Sequence, residues 1–173
     1  PAGRPALDEN VPLNYHVIAW AHLESLGVPG DPRKIFKIVP SPSLLPNGDS
    51  QMPHVSVDGT KIVFETDATN FPTVPPLPDD PAVSGPFIVL YDLQTQEFQQ
   101  VSLSSTGSPL EFARHPKIGM GGTHVAFTGK DEGSLTYQVF LRDLENQTTR
   151  IVTIGRQGPV QGVHNVLNDF SGP

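Results

Sequence analysis

Serine, histidine and carboxylate side chains are all present, yet their spacing assembles no reactive set. There is no Gly-x-Ser-x-Gly elbow, and the Ser102 to Ser108 stretch reads as a loop interleaved with leucine, threonine and glycine, with no base fixed beside it. Zero cysteines remove a cysteine nucleophile, thiolate metal sites and a disulfide framework, and leave the redox compartment open. Of the six histidines, His16 and His22 are too far apart for one helical face, and they share a strand side only if one strand runs unbroken between them. His54 and His124 flank expected hairpin turns, and His115 precedes a proline. Zinc would need three of these to converge; local hydrogen bonding is the expectation. Calcium would use oxygens such as those of Asn47-Gly48-Asp49 or Asp67-Ala68-Thr69-Asn70, but neither matches the twelve-residue loop with its closing glutamate. Both are expected to cap turns. Asp79-Asp80 reads as a solvated acidic pair, Asn146-Gln147-Thr148 as a glycosylation pattern on a hairpin tip, and Trp20 as a packing residue. The expectation is a chain with no catalytic residues, no assigned metal ligands and no cofactor, calcium being left open without a motif to support it.

Composition narrows the partners. A formal net charge of −7 repels a phosphate backbone, and no Lys/Arg cluster stands out locally, so nucleic acid is not expected. The apolar residues fall in short runs far below the eighteen or so needed for a spanning helix, so no membrane span is expected. Nor does the stretch from Pro1 show a charged region followed by an apolar core; an export signal, on this reading, is removed or was never present.

The elements that position these side chains come from a repeat. Pro53-His54-Val55-Ser56-Val57-Asp58-Gly59-Thr60-Lys61-Ile62-Val63-Phe64-Glu65-Thr66 is echoed by Pro116-Lys117-Ile118-Gly119-Met120-Gly121-Gly122-Thr123-His124-Val125-Ala126-Phe127-Thr128. Val89 to Leu93 is likewise echoed by Phe140 to Leu144, and Phe98 to Leu103 by Thr149 to Thr153. Repeats of this length mark array folds. Nineteen prolines and sixteen glycines punctuate the apolar runs, which predicts many short strands and no long helices. Ile62-Val63-Phe64 and Phe87 to Tyr91 suit strands buried on both faces. Asp58-Gly59 and Gly121-Gly122 supply the positive φ of a two-residue hairpin turn, and Asp92 and Asp143 start the next reversal by accepting backbone N–H groups two residues on. The last strands are expected at Glu97 to Leu103 and Thr149 to Ile154.

Each copy is therefore an all-β, four-stranded antiparallel meander, the shape of a β-propeller blade. The first strands of the copies lie 63 residues apart and the third strands 51 apart, so about 12 extra residues sit in the first copy, within Thr66 to Pro86. Six prolines make this insert an extended surface excursion. Strand-like runs at His16 to Ala21 and Lys34 to Val39 suggest a leading blade. The organisation read from sequence is a partial or degenerate blade at 1–45, a blade at 46–106 carrying the insert 66–86, a second complete blade at 107–157 and the start of another at 158–173. About three blades are fewer than close a ring. The ring is expected to be completed by more of a longer protein or by another chain.

Asn47-Gly48-Asp49-Ser50, Pro53, Ser56-Val57-Asp58-Gly59, Ile62-Val63-Phe64, Asp67-Ala68-Thr69-Asn70 and Leu90-Tyr91-Asp92-Leu93-Gln94-Thr95 resemble the repeat of TolB-like, WD-like β-propellers, a group found mainly in exported bacterial proteins. The second copy departs from it, with Gly121 for the turn aspartate and Gly119 for the serine. Both copies place glutamine, Gln96 and Gln147, where that family has glycine. The resemblance implies a six- to eight-bladed propeller in the parent protein, an extracytoplasmic (periplasmic or secreted) location and a binding or scaffolding role, with no catalytic residues.

Three functions follow as expectations. The first is a non-enzymatic protein-interaction module, with Thr73, Val74, Leu77, Asp79 and Asp80 of the insert as the partner-binding loop. The second is an assembly subunit whose open blade edges pair with other chains in a ring or filament. The third is the propeller portion of a larger serine peptidase, with the hydrolase domain outside this chain. No small-molecule substrate is indicated.

Overall fold

A computed structural model describes residues 16–20, 36–41, 44–72, 85–131 and 134–153. Ten strands are described: β1 (Ala19–Trp20), β2 (Phe36–Lys37), β3 (Ser50–Val55), β4 (Lys61–Thr66), β5 (Phe87–Asp92), β6 (Phe98–Gln100), β7 (Glu111–Ile118), β8 (His124–Lys130), β9 (Gln138–Asp143) and β10 (Thr148–Ile151). β3-β4-β5-β6 form one four-stranded sheet in sequence order, β7-β8-β9-β10 form a second, and β1 pairs with β2. Every pairing is antiparallel. The two copies in the sequence are thus two consecutive all-β meanders.

Alternation along β4 and β5 sends neighbours into two separate cores. Ile62, Phe64, Val89 and Tyr91 pack with Ile18 and Ile38 from the leading segments. Val63, Ile88 and Leu90 turn the other way and pack against Ile118, Val125, Phe127 and Phe140 of the second sheet. The first sheet is the middle layer, which explains why its apolar runs are continuous rather than alternating.

The first strand of each sheet is bulged at the same place. Between Gln51 and His54, and between Arg114 and Lys117, three steps on the outer strand face two on its partner. Met52 (φ 53°) and His115 (φ 55°) take the left-handed conformation there, each just before a proline. Proline has no N–H for a ladder, so the repeated Pro53 and Pro116 sit where the ladder is already broken.

The hairpins are wider than the sequence reading expects. Ser56 N–H bonds Lys61 O at 2.9 Å and Gly119 N–H bonds His124 O at 2.8 Å, enclosing loops of four residues instead of two. Only the second glycine position is left-handed, at Gly59 (φ 69°) and Gly122 (φ 66°). One positive φ is enough because a second reversal inside the loop, from Gly59 N to Ser56 O and from Gly122 N to Gly119 O, makes the rest of the turn.

The last strands are shorter than expected, ending at Gln100 and Ile151. In both copies a hydroxyl takes over from the backbone: Ser102 Oγ accepts Ile88 N–H at 3.0 Å and Thr153 Oγ1 accepts Val139 N–H at 3.1 Å. The expected surface loop from Thr66 is also corrected at its start. Thr66, Ala68 and Phe71 are buried, with the Phe71 ring 5.7 Å from Phe64 and 5.0 Å from Phe98, so the chain keeps sending side chains into the core as far as residue 71, although Asp67 between them is exposed.

Candidate interaction surface

Antiparallel order brings four reversals, β3–β4, β5–β6, β7–β8 and β9–β10, to one end of the two sheets. Carboxylates hold three of them. Asp58 accepts Ser56 Oγ–H at 2.6 Å, Thr60 N–H at 3.1 Å and Thr60 Oγ1–H at 2.8 Å, and these bonds hold its carboxyl down at about 2. Asp92 accepts Gln94 and Thr95 N–H at 2.8 and 3.0 Å. Asp143 accepts Glu145 and Asn146 N–H, both at 2.9 Å, with the bonds from Asn146 foremost in lowering its pKa. The expected reversals at Asp92 and Asp143 form as read.

Gln96 (φ 61°) and Gln147 (φ 56°) occupy the left-handed corner that closes these turns. At Gln147 the side chain compensates: its amide nitrogen donates to Leu144 O, while Oε1 accepts from Arg142 Nη2 at 2.6 Å and from Gln99 Nε2 at 3.1 Å. Arg142 is buried, its Nε lacks a partner, and burial lowers its pKa. Gln99 belongs to the first sheet, so this network ties the two sheets together. A second tie is Lys61 Nζ, which donates to Gly122 O at 3.3 Å.

Between the ties lies a groove of about 520 Å³, lined by Lys61, Thr95, Glu97, Thr123 and Glu145 among others. The two wide hairpins stand side by side above it, since a Cβ on Gly122 would lie 3.8 Å from Ser56 Cβ. At matching positions of these hairpins, Val57 is 72% exposed and Met120 is 56% exposed. Met52 and Val55, on the outer strand of the first sheet, are each half exposed. Exposed apolar side chains gathered at neighbouring loop tips are the kind of feature that marks a contact surface. Sequence reading missed them, although aligning the two copies pairs Val57 with Met120 and shows an apolar residue inside a polar turn twice.

The loop residues expected from sequence, Thr73, Val74, Leu77, Asp79 and Asp80, lie outside the described residues, as do His22 and the segment 158–173. That insert leaves from the far end of β4, opposite the hairpin tips. The side chain of Trp20 is also outside the described set. Asn47, Thr69 and Asn70 form a clasp: Thr69 N–H to Asn47 Oδ1 at 2.8 Å, Asn47 Nδ2–H to Thr69 Oγ1 at 3.0 Å and Asn70 Nδ2–H to Leu45 O at 2.8 Å. Asp49 accepts His16 N–H at 2.7 Å, which lowers its pKa. Of the oxygens considered for calcium, those of Asn47, Asp49 and Asn70 accept backbone N–H groups 22 or more residues away, so they join separate segments instead of capping their own turns as expected. Among the described residues no group of three or more His, Asp or Glu side chains is arranged to hold a metal. Ser104 Oγ accepts Ser108 N–H at 3.1 Å and closes a local loop, and the exposed Asn146 donates from Nδ2 to Asp143 Oδ2 at 2.8 Å. Among the described residues no helix is long and apolar enough to cross a membrane.

No family model matches the chain, and no curated protein matches it. Among solved structures it is similar to TolB from Acinetobacter baumannii, at 16% identity and a TM-score of 0.30, over 79% of this chain and 37% of that one. The chain thus spans well under half the length of that structure.

Proposed function

We propose that this chain is a non-enzymatic protein-interaction module built from β-propeller blades, and that the paired hairpin tips are its contact surface. The observation that carries the reading is the recurrence of an exposed apolar residue at the same turn position in both sheets, Val57 and Met120, on hairpins joined by Lys61 Nζ to Gly122 O. Both turns are anchored between paired strands, and the Val57 turn is also capped by Asp58, which lowers the ordering cost of presenting these side chains. The blades run over 46–106 and 107–157, flanked by parts of neighbouring blades, and the location is extracytoplasmic; the motif resemblance supports both.

Replacing Val57 and Met120 together by serine tests the reading, because both side chains lie largely in water. Partner capture by the immobilised chain from an extract of its source drops at least tenfold while the melting temperature is unchanged. Unaltered capture sinks the reading. Thr73, Val74, Leu77, Asp79 and Asp80 are proposed as a second contact, tested separately by deleting about twelve residues of the insert; capture that survives the deletion removes that contact.

Self-association is the second reading. The faces of the first sheet already stack on the leading strands and on the second sheet, a mode of packing that repeats from sheet to sheet. Light scattering across a concentration series decides it: mass above 18.7 kDa that grows with concentration supports assembly, and a constant monomer mass excludes it.

A further inference from the structure

Glu65 is the one position in the repeated strand where an ionisable group replaces a neutral one: its counterpart in the second sheet is Thr128. Thr128 serves its own sheet, donating from Oγ1 to Arg114 O at 3.1 Å. Glu65 instead turns toward the second sheet, since it pairs with Ile88, whose side chain belongs to the core between the sheets. Its residue exposure is only 2%.

The bulge in β7 supplies its partner. At His115 the left-handed backbone takes the N–H out of the ladder with β8, and that N–H donates to Glu65 Oε2 at 3.3 Å. One strand away on the first sheet, His54 faces the same way, and its Nδ1 accepts Ile118 N–H at 3.3 Å. The open edge of β7 is therefore held to the first sheet by two ionisable side chains. Among the described residues, the ionisable groups around Glu65 are Arg114 and His115 on β7, Asp67 just past the end of β4, and His54 on β3.

We propose that Glu65 is a proton-operated coupling between the two sheets: the neutral acid fits the buried space between them while its oxygen still accepts His115 N–H, whereas ionisation places a charge there with one 3.3 Å bond to answer it and so loosens the joint. Burial is the leading influence on this carboxyl and raises its pKa, against the His115 N–H and the charges of Arg114 and His115, which lower it; the Asp67 charge adds to the rise. A carboxyl that binds its proton more readily folded than unfolded contributes stability that is fully present below the ordinary glutamate range. That stability is lost as the pH rises through the folded value. The proposal concerns the joint and stands whether or not the hairpin tips bind a partner.

Glu65→Gln keeps an acceptor for His115 N–H and removes the charge. Melting temperatures of the two proteins, followed from pH 4 to pH 8.5, are expected to agree at the acid end and then diverge. At the alkaline end the variant melts higher by about 3 °C, a shift on the order of 1 kcal/mol for a chain of this size. A difference that is constant with pH, or a variant that melts lower at pH 8, overturns the proposal. Carboxyl NMR of the unaltered protein gives an independent reading that needs no variant. A Glu65 midpoint clearly above the usual value near 4.3 supports the coupling, and a midpoint at or below it overturns it.

Discussion

Gln96 and Gln147 occupy equivalent corners of equivalent turns, yet replacing each by glycine is expected to change stability in opposite directions. Both residues have a positive φ, 61° and 56°. A side chain with a Cβ pays roughly 1–2 kcal/mol in this region and glycine pays none, while glycine gives back part of that through a freer unfolded chain. Gln96 is exposed and its side chain makes none of the bonds that Gln147 makes. Gln96→Gly is therefore expected to stabilise by about 0.5–1 kcal/mol. Gln147→Gly gains the same backbone relief but removes the acceptor of Arg142 Nη2 at 2.6 Å. Arg142 is only 3% exposed and its Nε already lacks a partner, so a second donor would be stranded on a buried cation. That costs about 1–3 kcal/mol or more, and losing the Gln99 tie adds to it. The net expectation for Gln147→Gly is destabilisation of about 1–2 kcal/mol. Urea unfolding of the two variants and the parent reads both signs. If both glycines shift the midpoint the same way, the account of Gln147 as an inter-sheet tie is wrong.

Gly48→Ala is expected to destabilise by about 1–3 kcal/mol in the same assay, because its Cβ would sit 2.7 Å from the Ala68 nitrogen, where backbone must move. A variant as stable as the parent would show that the clasp between residues 47–49 and 67–70 gives way without cost. Asp58 has its folded pKa lowered to about 2, so its bonds to Ser56 and Thr60 help the fold above the ordinary carboxylate value near 3.8, and that help fades as the pH falls toward 2. The melting temperatures of Asp58→Asn and the parent are expected to converge over that interval; a gap that stays constant down to pH 2 contradicts the turn geometry.

Much of the fold was legible because it is written twice. Two copies of a β-rich pattern with short connections predict two meanders, and the continuous apolar runs of β4 and β5 predict a layer covered on both faces. Asp92 and Asp143 were readable because an aspartate at a strand end acts through bonds only two or three residues long. Strand ends were less readable, since Ser102 and Thr153 close theirs by hydroxyl bonds to residues fourteen positions away. The bulges at Met52 and His115 were hidden for a related reason. A proline in a strand announces a broken ladder without saying which neighbour takes the left-handed turn. The proposed contact surface was the hardest part, because the neighbouring positions of Val57 and Met120 depend on how two loops far apart in sequence come to stand together.

The most direct test of the interaction account places a photo-crosslinking residue at position 57 in one preparation and at position 120 in another, and identifies what each captures from the source extract. The account predicts that both positions label the same protein, and that unlabelled chain competes for it in a saturable way. Labelling of different proteins from the two tips, or labelling that unlabelled chain does not reduce, would contradict a shared contact surface.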